Sequence, residues 1–495
     1  MVTPDGRVIE YKYDNWNHLS QVLVNSVPQA NLVHDPYGRR VGLGYANGTS
    51  TSYSYNPSGY LTDLLTRDSQ QATINSFAYT HDGVGNRKTM TELNGVHGYD
   101  YDKIYQLTKA THPLRPEEAF SYDPVGNRLN TSVDLDNALM EDGDYTYAYD
   151  YNGNLIEKVS KGTGEKTSYF YDFENRLVKV ESPGLIAQYK YDPFGRRIEK
   201  NVNGAITRYT YDGPNILLEY DGENDIKSRY LHTLAIDDIL SVEQGGKVYY
   251  YQKDGLGSVV ALTDEAGQVV QSYEYDSFGK IVNQTGSIRN PFTYTGREYD
   301  EETGLYFYRA RYYDPNAGRF FTKDPIGFAA GDVNLYRYVY NNPVNKVDPL
   351  GLQAKKTGIW SGAGGSIGGM LLSAGIFTGI YKVTSWDTGK SCWIMTACGG
   401  LGGGLGGSLS AESMWVWGAF TPEDLAGMTE GGVAFGGVGL AAVGGSYSPG
   451  GCEGNRVTGP IDRPSSSSGL VYGVGIGAGA AYLLGGCRTT VLSCN

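Results

Sequence analysis

Residues 149–198 read YDYNGNLIEKVSKGTGEKTSYFYDFENRLVKVESPGLIAQYKYDPFGRRI. The stretch repeats one unit: an aromatic run ending in Tyr-Asp, a turn carrying Gly or Asn, then often Arg and an aliphatic residue. Aromatics fall on every second position, as in Tyr145, Tyr147 and Tyr149 or in Tyr189 and Tyr191, which an extended strand sets on one face. Between the runs, Asp-Pro-x-Gly presets φ at Pro and Asn-Gly permits a positive φ at Gly, which is hairpin chemistry.

Working outward, further copies are YKYDNWNHL (11–19), YDPVGNRL (122–129) and YDSFGK (275–280), with looser ones at HDPYGRRV (34–41), YNPSGYL (55–61) and HDGVGNR (81–87). Measured at the Asp or its substitute, the positions run 14, 35, 56, 82, 102, 123, 150, 172, 192 and 212, in steps of 20 to 22 with two longer ones of 26 and 27. A period of this size is one supersecondary unit per repeat. The expected fold is mainly β: antiparallel hairpins side by side in one long coiled sheet, with almost no helix. A solid β-solenoid or a propeller has the same periodicity, so this point stays open on spacing alone.

The stretch from 291 to 352 is more specific: PFTYTGREYDEETGLYFYRARYYDPNAGRFFTKDPIGFAAGDVNLYRYVYNNPVNKVDPLGL. With the repeats before it, it closely resembles the core of the Rhs/YD-repeat polymorphic toxins, a family that includes teneurin-type proteins and the C subunits of insecticidal toxin complexes. The resemblance covers nearly all of residues 1–352. It implies a strip of hairpins spiralling into a hollow shell that encloses its own C-terminal segment, and it divides the chain into a YD-repeat shell (1–290), an Rhs-associated core (291–352) and a variable tail (353–495).

Two carboxylates stand out in that core, Asp324 in DPIG and Asp348 in DPLG. Two acids brought within a few ångström repel, so that one holds a proton and serves as general acid while the other serves as base toward water. The resemblance implies that such residues cut the chain just after DPLGL, at the Leu352–Gln353 bond, in a single-turnover aspartic-type reaction. Asp332 is a candidate third member, and Arg319 a candidate to orient a carboxylate. In the plainer reading both Asp-Pro-x-Gly segments are turns, each Asp bonding nearby backbone N–H groups.

Composition breaks at the same place. Up to Leu352 the chain holds 38 of its 42 tyrosines, all six histidines and no cysteine; from Gln353 onward come all five cysteines, and 36 glycines with 14 charged side chains in 143 residues. The net charge of -13 disfavours a protein that works by neutralising phosphates, so no nucleic-acid partner is expected. Met1 is followed at once by repeat sequence, so no standard secretory signal is expected in this sequence.

The tail has no histidine, which removes His-dependent nuclease designs, Ser-His-Asp hydrolases, Cys-His proteases and Cys/His zinc sites. No metal or cofactor is expected. Four stretches lack charge, 357–381, 391–411, 431–452 and 464–487, each about as long as a bilayer-spanning helix requires. Small residues recur four apart at Gly365/Gly369, Gly375/Gly379, Gly432/Gly436 and Gly475/Gly479, and Trp360, Trp386, Trp393, Trp415 and Trp417 lie near segment ends. The leading expectation is a non-enzymatic tail that inserts into a target cell's membrane and depolarises it, which more loosely resembles tails of some type VI-delivered Rhs effectors.

The competing class is a His-independent enzyme such as an ADP-ribosyltransferase or NAD-consuming toxin, with Glu412, Glu423, Glu430 and Glu453 as available acids and a weak Gly402-x-Gly404-x-x-Gly407 fingerprint. Cys392/Cys398 or Cys487/Cys494 are candidate disulfides after delivery to an oxidising compartment. The family resemblance further implies residence in the producer cytoplasm before delivery, a cognate immunity protein, and a secretion apparatus, either a type VI spike or a toxin-complex partner. A non-enzymatic YD adhesion or scaffold protein is the remaining alternative.

Overall fold

The computed structural model describes residues 1–352 throughout and, beyond them, the backbone of residues 355–356, 373–384, 391–404, 432–435, 441–444, 451–453, 456–458 and 481–494. The chain divides into two compact units, Met1–Gly364 and Gly365–Asn495. Residues 291–352, expected as a region of their own, belong to the first.

In that unit the hairpins are present. Eleven strands from Ile9–Tyr13 to Glu118–Ala119 form one sheet, and sixteen from Ser132–Val133 to Ile281–Thr285 form a second, each strand bonded to its sequence neighbours. The pairings are antiparallel, for instance Leu185–Tyr191 against Arg197–Val202. Among the described residues of the unit the helical segments are three short 3-10 turns, Tyr294–Gly296, Gly327–Ala330 and Val339–Asn341.

The Asp of each repeat builds its turn. At Asp192, Oδ1 accepts the N–H groups of Phe194 and Arg196 at 2.9 and 3.0 Å, while Gly195 N donates back to Asp192 O at 3.0 Å. Gly195 has φ 76°, and Asn175, its counterpart one repeat earlier, φ 59°, a region that Gly and Asn tolerate better than other residues. The residue four places after the Asp then caps Oδ2: Arg196 Nε at 2.6 Å, Asn154 Nδ2 on Asp150 at 2.8 Å, Gln106 Nε2 on Asp102 at 2.8 Å.

The Tyr of each repeat ties it to the one before. The hydroxyls of Tyr171, Tyr191 and Tyr211 donate to the carbonyls of Leu155, Leu177 and Arg197 at 2.9, 2.6 and 2.8 Å. A phenol is long enough to cross the sheet face and still satisfy its polar tip. Tyr-Asp is therefore one turn-builder and one inter-repeat strut.

Apolar residues on the inner face make the core. Tyr147, Tyr169 and Tyr189 pack with Leu155, Leu177 and Val180, and the four-stranded sheet Glu298–Asp300, Leu305–Tyr308, Arg311–Asp314, Arg319–Phe320 lies against them through Leu305, Phe307 and Tyr312, joined by Phe321 just after its last strand. The strip also returns on itself, since Ile9, Leu19, Val22, Leu32 and Leu43 share a cluster with Leu231, Leu240 and Tyr250. Arg197, 1% exposed, reaches Glu298 at 2.9 Å and Asp300 at 2.5 Å and so pins the second sheet to the core segment.

The described parts of the tail overturn the helical expectation. Ser373–Thr384, Ser391–Gly404 and Ala481–Cys494 are strands of one antiparallel sheet, and Gly432–Phe435 pairs with Ala441–Gly444. Among the described residues no helix is long and apolar enough to cross a membrane. Glycine is the cause: each one in a helix interior costs about 1 kcal/mol relative to Ala, and these stretches are dense with it. Gly402 and Gly404 lie within a paired strand, where a dinucleotide fingerprint would need a turn opening a helix. The register sets Cys392 opposite Cys494 and Cys398 opposite Cys487, so neighbours lie across the strands rather than along the chain.

Candidate functional site

The strand Arg311–Asp314 carries a basic residue into an aromatic layer. Arg311 is 4% exposed and its guanidinium lies 3.6 Å from the centroid of the Phe320 ring. A buried cation needs partners. Arg311 donates through Nε to Gly351 O at 2.5 Å and through NH1 to Leu335 O at 3.0 Å, and its NH2 faces Asp324 Oδ2 at 2.8 Å and Asp348 Oδ2 at 3.5 Å. The two predicted carboxylates therefore share one guanidinium nitrogen.

Each acid is also a turn residue. Asp324 Oδ1 accepts Ile326 N–H at 3.1 Å and Gly327 N donates to Asp324 O at 2.9 Å. Asp348 Oδ1 accepts Leu352 N–H at 2.9 Å. Each acid thus has one oxygen in its own turn and the other toward Arg311. Gly351 is required by space as well as by its φ of 70°: a Cβ there would stand 2.3 Å from Tyr308 O.

Burial raises the Asp324 carboxyl above its ordinary value; Arg311 works against this, and the nearby Asp348 and Asp332 add to it. Burial brings Arg311 down to about 10, with the three acids pulling the other way. Arg311, Asp324, Asp332, Asp348 and Leu352 line a cavity of about 20 Å³, enough for one water, which needs roughly 10–15 Å³.

Asp332 lines this cavity but is held by Arg337, Oδ1 to NH2 at 2.6 Å and Oδ2 to Nε at 2.8 Å. Arg319 does not orient a carboxylate. Its guanidinium donates to Asn137 O and lies 5.1 Å from the Tyr336 ring centroid, and among the described residues it makes no ion pair. The strand Arg319–Phe320 leaves Arg319 half-buried beside Tyr336 while the buried Phe320 takes the ring position under Arg311. Sequence reading missed Arg311, although an Arg inside FYRARYY had to find buried counter-charge.

The chain past the junction continues as Lys355–Lys356, paired with Lys346–Val347. Leu352 therefore sits in a hairpin loop closed by Val347 and Lys355. Gln353 itself lies outside the described residues, as do Glu412, Glu423 and Glu430; Glu453 is described in backbone only. A larger cavity of about 280 Å³ lies elsewhere, lined by residues that include His97, His112, Asp254 and Asp276.

Comparison with known proteins matches residues 86–344 to the model of the teneurin YD-shell. The chain is 35% identical over 363 residues to the tRNA3(Ser)-specific nuclease WapA of Bacillus spizizenii, covering 68% of this chain and 15% of that protein. It is 28% identical over 364 residues to double-stranded DNA deaminase toxin A of Burkholderia cenocepacia, covering 64% and 24%. The crystal structure of TcdB2–TccC3 shares the fold, with a TM-score of 0.53, 22% identity, and coverage of 70% of this chain and 21% of that one. The chain thus spans less than a quarter of the length of these proteins. With the hairpin strip, the Tyr-Asp turns and a family model matched over more than half of its residues, the chain belongs to the teneurin YD-shell family, the fold of the Rhs/YD-repeat polymorphic toxins.

Proposed function

We propose that this chain is the shell and cargo of a delivered Rhs-type toxin, and that it cuts itself after Leu352. The observation that carries the reading is the pair Asp324 and Asp348 on one buried guanidinium, with Asp348 Oδ1 holding the N–H of Leu352. Asp324, its carboxyl raised by burial, donates a proton to the Leu352 carbonyl oxygen. Asp348 takes a proton from water, whose oxygen attacks the carbonyl carbon; the C–N bond then breaks as Asp348 passes that proton to the Gln353 nitrogen and Asp324 takes its own back from the hydroxyl on the former carbonyl carbon. Arg311 positions both acids. Intact-mass measurement of purified protein tests this. A break at Leu352–Gln353 that disappears in Asp324→Asn and in Asp348→Asn is expected, and a chain that stays whole under native conditions rejects the protease.

For the released cargo, low charge favours action at a membrane. The described strands of 12 and 14 residues also exceed the roughly 9–11 that cross a bilayer in a β-barrel. The names of relatives, a tRNA nuclease and a DNA deaminase, favour a second reading, a nucleic-acid enzyme. Residues 353–495 expressed alone separate the two. Lost membrane potential with intact RNA and DNA supports the first, whereas intact potential in dying cells supports the second. A cognate immunity protein and an export partner complete the proposal.

A further inference from the structure

Three of the repeat turns share a side-chain arrangement that the first repeat replaces with histidines. In three repeats the residue four places after the Asp is Arg, with Nε on the Asp Oδ2: Arg39 on Asp35 at 2.6 Å, Arg176 on Asp172 at 2.7 Å and Arg196 on Asp192 at 2.6 Å. Each of these guanidinium groups lies over the Tyr of the following repeat, Tyr55, Tyr191 or Tyr211, at 4.8, 5.3 and 5.2 Å from the ring centroid. The unit is Asp, Arg, Tyr, and it is structural.

The first repeat puts imidazoles at both variable positions. His18 stands four places after Asp14, and His34 stands where the next repeat would have its Tyr. His18 Nδ1 lies 3.2 Å from Asp14 Oδ2, and the two imidazole rings are 5.3 Å apart at an angle of 41°. One ligand-type atom from each of the three residues lies within 4.8 Å of the others, and all three side chains are partly buried. Two imidazoles and a carboxylate are the donor set of a three-ligand zinc centre.

The charge of Arg40, which acts on His34, is itself paired with Asp238 at 2.7 Å.

We propose that Asp14, His18 and His34 form a site for a divalent transition-metal ion of the zinc type, with the remaining position left to water. Zinc takes nitrogen and oxygen at about 2.0–2.2 Å, so a tetrahedral set needs its donors roughly 3.3 Å apart. The His18–Asp14 distance of 3.2 Å already meets this, and the three ligand atoms, all within 4.8 Å of one another, have to close by at most about 1.5 Å to hold the ion. The ion joins the turn after the strand Ile9–Tyr13 to the end of the strand Val27–His34, two repeats at the first edge of the eleven-stranded sheet.

The test uses the full chain with its five cysteines capped by iodoacetamide, so that thiolates do not bind the metal. The protein is equilibrated with zinc chloride, desalted, and its zinc is counted by inductively coupled plasma mass spectrometry. The variant His18→Arg/His34→Tyr carries the residues that other repeats use at these positions and is expected to fold. His18→Gln is a second variant, since Gln106 caps Asp102 in the same way at 2.8 Å. The expected result is one more zinc per chain in the parent than in the double variant, at least tenfold weaker binding in His18→Gln, and a melting temperature that zinc raises in the parent alone. Equal zinc in parent and variants, or none in any of them, overturns the site.

Discussion

Arg311→Met tests the physics of the paired acids directly. Methionine keeps most of the volume and the contact with Phe320, but it removes the donors to Gly351 O and Leu335 O and the charge facing Asp324 and Asp348. Both acids are buried, 7% and 2% exposed, so the variant leaves two carboxylates without their shared cation. Breaking a buried pair by deleting one partner costs about 3–5 kcal/mol. The cost depends on pH in a definite direction. Asp324 is already raised by burial, and without Arg311 it rises further, so its folded value exceeds its unfolded one. A group of that kind stabilises the fold below its unfolded value and loses this contribution as pH rises through the folded value. The loss in Arg311→Met is therefore largest near pH 8 and smaller near pH 4, where an unfolded Asp, with an ordinary value of about 3.9, is already partly protonated. Urea midpoints followed by tyrosine fluorescence at pH 4.5, 6 and 8 measure it. A difference that is the same at every pH, or below about 1 kcal/mol at pH 8, would show that Arg311 does not hold these acids electrostatically.

Tyr191→Phe removes the hydroxyl that donates to Leu177 O at 2.6 Å and should cost about 1–2 kcal/mol in a urea melt, since the carbonyl it leaves is partly buried. Asp276 is pushed up to about 6 by burial and by Glu118. Because Asp276 disfavours the fold increasingly as pH rises through 6, Asp276→Asn should match the parent below pH 4 and exceed it by up to about 3 kcal/mol at pH 8. Gly351→Ala would place a methyl 2.3 Å from Tyr308 O at a φ of 70°, so the chain should run uncut on a denaturing gel.

The shell was legible because its signals are local. Asp14, Asp35, Asp172 and Asp192 each fold a turn with the four residues that follow them, and a local rule repeated every twenty or so residues needs no tertiary information. The two catalytic candidates were legible because Asp324 and Asp348 stand in a segment whose resemblance was specific. Arg311 was not, since its role depends on which strand the core sheet buries, and Arg319 looked equivalent by composition. The tail misled for a different reason. Uncharged length suggests a membrane helix, but it does not distinguish helix from strand where glycine is this dense, and the backbone at Ser391–Gly404 is extended.

The site after the shell is built from the same turn as the shell itself. At Asp348, Oδ1 accepts the N–H four residues on, Gly351 N donates back to Asp348 O at 3.3 Å, and the third residue after the Asp has a positive φ of 70°, as at Asp192 and Gly195. What differs is the fourth residue. In several repeats it is Arg, Asn or Gln, and in the first it is His18, whose side chain faces Oδ2; here it is Leu352, whose side chain has no donor, and Oδ2 faces Arg311 from another strand. Leu352→Asn should restore the local cap, since Asn154 holds Asp150 Oδ2 at 2.8 Å from the equivalent place. The expected result is a stability within about 0.5 kcal/mol of the parent or above it, with release of the tail slowed at least tenfold, while Leu352→Met, which changes the residue without adding a donor, is processed as the parent is. Equal processing in Leu352→Asn and Leu352→Met would mean that Asp348 Oδ2 plays no part in the cut.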